Sequence, residues 1–87
     1  MIKAFASSLF DFSDPTKMSM EVTYVDIGNT TYTSTIDVVY GTDITGYYLD
    51  ELTPVIQQKI IDKALSDHSL VIYTYDIIWL YPNAMAV

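Results

Sequence analysis

The stretch Ser69-Leu70-Val71-Ile72-Tyr73-Thr74-Tyr75-Asp76-Ile77-Ile78-Trp79-Leu80-Tyr81 decides how the chain is read. After Ser69, apolar or aromatic side chains occupy odd and even positions alike, and only Thr74 and Asp76 interrupt them. Successive strand residues point to opposite faces, so this run predicts one long strand covered on both sides. β-Branched and aromatic residues dominate it, and Pro82 closes it because proline cannot continue a hydrogen-bonded ladder. The remaining chain is read as what covers that strand.

Immediately upstream lies the clearest helix. Thr53 is a good N-cap, Pro54 suits the first helical position, and Asp50 and Glu51 lie just before the positive end of the helix dipole. Ile56, Ile60, Ile61, Ala64 and Leu65 fall on one half of the helical wheel, and Gln58, Lys59, Asp62, Lys63 and Ser66 on the other. Further upstream, Met18, Met20, Val22 and Tyr24 alternate, as do Ser34, Ile36, Val38 and Tyr40, with Gly28-Asn29 between them. That is a hairpin signature. A two-residue loop would place the two apolar series on opposite faces, so an odd loop, Gly28-Asn29-Thr30, is expected, pairing Val22 with Ile36. The outer face then carries Glu21, Thr23, Thr33, Thr35 and Asp37.

At the other end, Ile2, Phe5, Leu9 and Phe12 recur at helical spacing while Phe10 and Phe12 alternate; the spacing favours a short N-terminal helix ended by Asp14-Pro15. The fold expected is α+β: a single domain over residues 1–87 with a small three-stranded, mainly antiparallel sheet. Hairpin, helix and long strand follow in that order, with the helix packed on one face. The pattern leaves open whether the last strand returns beside the first or the second hairpin strand. It also leaves the second apolar face of Ser69 to Tyr81 to be covered by the N-terminal segment or by another copy of the chain.

The 87 residues carry four lysines, no arginine and eleven acidic residues, for a net charge of −7. Such a field repels phosphate backbones and anionic membranes and suits a basic protein partner. Direct binding to DNA or RNA is not expected, since Lys3, Lys17, Lys59 and Lys63 form no basic stripe. With no cysteine there is neither a disulfide nor a thiolate nucleophile, and one histidine, His68, cannot assemble a zinc set. Glycine-rich phosphate loops and nucleophile elbows are absent from the sequence. Neither enzyme activity nor a cofactor nor a metal is therefore expected. No signal peptide is legible and Ile77 to Tyr81 is too short to span a bilayer, so the expectation is a cytoplasmic protein that does not enter membranes.

What remains is the glycine-punctuated segment containing Asp43, Tyr47, Tyr48, Asp50 and Glu51. Acids there could steer a basic partner, and a tyrosine could supply a buried anchor. These five form the candidate partner-binding set; loop stapling to the core is the structural alternative. Tyr24, Tyr40, Tyr73 and Tyr75 are expected in packing roles. In size, acidity and lack of cysteine the chain resembles short accessory proteins of phages and mobile elements, some of which inhibit host enzymes by occupying basic clefts. The function expected is a non-enzymatic acidic binding module, an inhibitor or nucleic-acid mimic. The alternative is a self-associating assembly protein, such as a homodimer, joined through the last strand and the tail Ala84 to Val87.

Overall fold

A computed structural model describes residues 2–46 and 48–80. Four strands, β1 (Lys3–Asp11), β2 (Lys17–Val25), β3 (Thr31–Val39) and β4 (Ile77–Trp79), form a mixed sheet in the order β3-β2-β1-β4. A single long helix, α1 (Leu49–His68), lies between β3 and β4 in sequence and closes one face.

The N-terminal helix expected from Phe5, Leu9 and Phe12 is a strand instead. β1 pairs antiparallel with β2 and parallel with β4, so it is an interior strand with hydrogen-bonding partners on both sides. Its decisive residues are Ala4 and Ala6, both fully buried in the core that includes α1. Alanine has weak strand propensity, and its period-two signal is hidden beneath larger residues at helical spacing. A bulge between Ala6 and Phe10 shifts the register, and Phe10 then packs against the core.

The hairpin has the expected faces and a different register. Val22 pairs with Ser34, Met20 with Ile36 and Met18 with Val38. The connection is five residues, Asp26 to Thr30, rather than three. Asp26 explains the longer loop: its Oδ1 accepts the amides of Gly28 and Thr30, both at 2.9 Å, and Asn29 takes a left-handed φ of 63°. Because both loops have odd lengths, Met18, Met20, Val22, Ser34, Ile36 and Val38 are all buried, while Glu21, Thr33, Thr35 and Asp37 face solvent.

The helix begins five residues before the expected start. Tyr48 is the N-cap and Pro54 lies inside the helix. Leu52, Ile56, Ile60 and Ala64, spaced by four, are fully buried, and Leu52 is the anchor that carries the helix upstream past Pro54. Leu65, grouped with the apolar face by the helical wheel, is exposed. Burying each Ile or Leu side chain is worth about 1.5–3 kcal/mol.

The long strand does not form over its full length. Ser69 takes φ 56° and closes the helix; its amide bonds to Leu65 O and that of Leu70 to Ala64 O, a left-handed cap incompatible with a strand start. A 3-10 turn, Thr74–Asp76, follows, and only Ile77–Trp79 pairs. Tyr73 and Tyr75 are therefore exposed, against the expectation that they pack. The last strand lies beside neither hairpin strand, since β1 stands between. The N-terminal segment thus extends the sheet within its own layer and does not cover a second face. The tail Ala84 to Val87 lies outside the described residues. Among the described residues, no helix is long and apolar enough to cross a membrane.

Candidate functional site

Two of the five candidate loop residues are used to build the loop itself. Asp43 Oδ2 accepts the Val39 amide at 2.7 Å and faces Lys59 Nζ at 3.2 Å. The Val39 hydrogen bond, followed by Lys59, holds its carboxyl below the ordinary aspartate value. Glu51 accepts the Thr45 amide, the Thr45 hydroxyl at 2.8 Å and the Gly46 amide at 3.2 Å, which lower its pKa in the same way. These carboxylates keep their charge but are fixed in the loop. Asp50 is exposed in the first helical turn, and Tyr48 presents 66% of its surface. The Tyr48 ring lies so close to Gly46 that an added Cβ would stand 2.5 Å from Cε2. Tyr47 lies outside the described residues. Among its described residues, the segment thus presents the exposed Tyr48 ring and the exposed Asp50 carboxylate on an anchored frame.

The end of α1 brings together a serine, a histidine and an aspartate. Ser34 Oγ donates to Asp67 Oδ2 at 2.8 Å, and His68 Nε2 lies 3.3 Å from that hydroxyl and 2.7 Å from Thr33 O. A carbonyl can only accept, so Nε2 carries the hydrogen and is unable to take a proton from Ser34. Asp67 contacts the serine rather than orienting the ring, so the arrangement lacks the relay of a hydrolytic triad. It fastens the helix end to β3. The Ser34 hydroxyl lowers the Asp67 pKa. Among the described residues, no three His, Cys, Asp or Glu side chains converge on a possible metal position.

The exposed feature missed in the sequence is at the β4 side. Tyr73 and Tyr75, 55% and 75% exposed, stack with centroids 5.5 Å apart and planes within 9°. Asp76 sits beneath them with a side chain only 7% accessible. Its Oδ2 accepts the Tyr73 amide at 3.1 Å, while the Asp76 amide donates to Tyr73 O at 2.9 Å; these two bonds fix the turn. Oδ1 is buried with no hydrogen-bond donor, and Lys3 Nζ, 3.8 Å away, offers charge beyond hydrogen-bond length. Tyr73, Tyr75 and Asp76, with Ile2 and Val71, line a hollow of about 270 Å³. A signal for it was present: a lone carboxylate inside an apolar run must find a partner or a use when buried, whereas the pattern reading took Asp76 as a mere interruption.

No protein-family model matches the chain, and neither a curated protein nor a solved structure matches it.

Proposed function

We propose that the protein is a non-enzymatic acidic binding module that docks on a basic protein surface, acting as an inhibitor or nucleic-acid mimic. The net charge of −7 carries this reading. A field of that sign accelerates encounter with a cationic surface and disfavours nucleic acid. The distribution of the few cations supports it. Lys17 pairs with Asp37 at 3.4 Å, Lys59 with Asp43 at 3.2 Å and Lys3 with Asp76 at 3.8 Å, so three of the four already face carboxylates. Tyr48 beside Asp50, and the Tyr73–Tyr75 pair above Asp76, supply exposed aromatic anchors beside negative charge.

Affinity capture from the source organism at low salt, followed by elution in a salt gradient, tests the reading. The expected result is a basic protein released as salt rises; Asp50→Asn slows its association and Tyr48→Ala speeds its dissociation. Retention of acidic or neutral proteins only, indifferent to salt, contradicts it. Self-association is the second reading, favoured by the exposed side chains of Ile78 and Leu80 at the short edge strand. A light-scattering mass that doubles with concentration supports that alternative, and a constant monomer mass removes it.

A further inference from the structure

We infer that the hollow formed by Tyr73, Tyr75, Asp76, Ile2 and Val71 accepts an arginine side chain of the basic partner; this rests on the docking function proposed above. Three features point to a guanidinium. The two tyrosine rings lie parallel and exposed, a flat π surface on which a planar cation can stack. Behind them, the Asp76 side chain is more than nine-tenths buried, and its Oδ1 has no hydrogen-bond donor from the protein. Its charge is consequently poorly screened, and the field reaches the hollow that Asp76 helps to line. Ile2 and Val71 give apolar walls for the methylene stem of a long basic side chain.

The molecule already shows which charge the site attracts. Lys3 approaches Asp76 to 3.8 Å yet remains 41% accessible, so it neutralises the carboxylate loosely and can swing away. An incoming guanidinium displaces Lys3 and gains the tyrosine surface, which a compact ammonium exploits less well. The turn is prepared for this. Asp76 fixes the turn that carries both tyrosines through its two bonds with the Tyr73 backbone, and the rings already stack on each other, so little ordering is needed on binding.

The test is an amide-resolved NMR titration of the full-length chain with an oligoarginine peptide and an oligolysine peptide of equal length. Oligoarginine should bind several-fold more tightly and shift the amides of Lys3, Tyr73, Tyr75 and Asp76. Tyr75→Ala, at an exposed position, should weaken it about tenfold, the order expected of a partly desolvated cation–π contact. Asp76→Asn should also weaken it, scored only if its spectrum shows the parental fold. Shifts confined to another surface such as Tyr48 and Asp50, equal affinity for the two peptides, or parental affinity in Tyr75→Ala would each overturn the pocket while leaving the docking function standing. Failure of both peptides to bind anywhere would overturn both.

Discussion

The two edges of the sheet treat their polar groups in opposite ways. At the β3 edge, His68 takes the Thr33 carbonyl, Asp43 takes the Val39 amide, Ser34 reaches Asp67, and Lys17 faces Asp37. An edge strand left bare invites pairing with other chains, and here charged side chains and backbone caps occupy it. At the β4 side the strand is three residues long, the tyrosines stand out into solvent, and one buried carboxylate oxygen lacks a donor. Where these groups are answered from within, the region is explained by stability. Where one is left unanswered beside exposed rings, stability alone gives no account of it, and the proposed docking role does.

The largest effect should come from the core that both edges share. Ile60→Asp places an unpaired charge among fully buried residues, costing several kcal/mol of a total of about 5–15 kcal/mol, and a cooperative melt should be lost. An unchanged melt would mean that this helix face is not the packed one.

The next effects sharpen the contrast between edges. Asp76→Ala removes the acceptor for the part-buried Tyr73 amide and the counter-charge of Lys3, and should cost about 1–3 kcal/mol. Ser34→Ala should cost less, about 0.5–1.5 kcal/mol, because its partner Asp67 is exposed and water can replace the lost bond. Denaturant midpoints with unchanged m-values would measure both, and a reversed order would break the comparison.

Acid should act chiefly through the anchored carboxylates. Asp43, Glu51 and Asp67 have folded pKa values lowered by hydrogen bonds, from ordinary values of 3.8, 4.5 and 3.8. A lowered folded pKa gives stability that is present above the ordinary value and lost as pH falls through the folded one. The urea midpoint should therefore hold from neutrality to the ordinary carboxylate range and fall below it. Asp43→Asn should flatten part of that fall; an identical acid profile would show that the Val39 bond contributes nothing. The smallest effect belongs to Tyr75→Ala, whose exposed ring should change stability by no more than about 0.5 kcal/mol in a thermal melt.

Much of the fold was legible where large side chains kept one period. The β2–β3 faces follow from the odd parity of the loop, although the Asp26 turn, a side-chain device, set the register two residues away from the expected one. The helix was legible through Ile56, Ile60 and Ala64, and its start was misplaced because a proline is usually read as a first-turn residue. β1 was hidden because, among its described residues, the buried positions Ala4 and Ala6 are alanines. The run from Ser69 was misread because hydrophobicity alone cannot tell paired backbone from a turn; the left-handed Ser69 and the buried Asp76 break it. For the candidate site, the structure bears only on where the named residues lie. Asp43 and Glu51 bond within their own loop, while Tyr73 and Tyr75, expected in the core, lie outside it.

The central claim is that charge guides this protein to a basic surface. Its most direct test is the association rate with the captured partner as ionic strength rises from about 0.01 to 0.15 M, where the screening length shortens from about 30 to 8 Å. The account predicts a rate that falls steeply with salt while dissociation changes little. A rate that is flat, or that rises with salt, would contradict it.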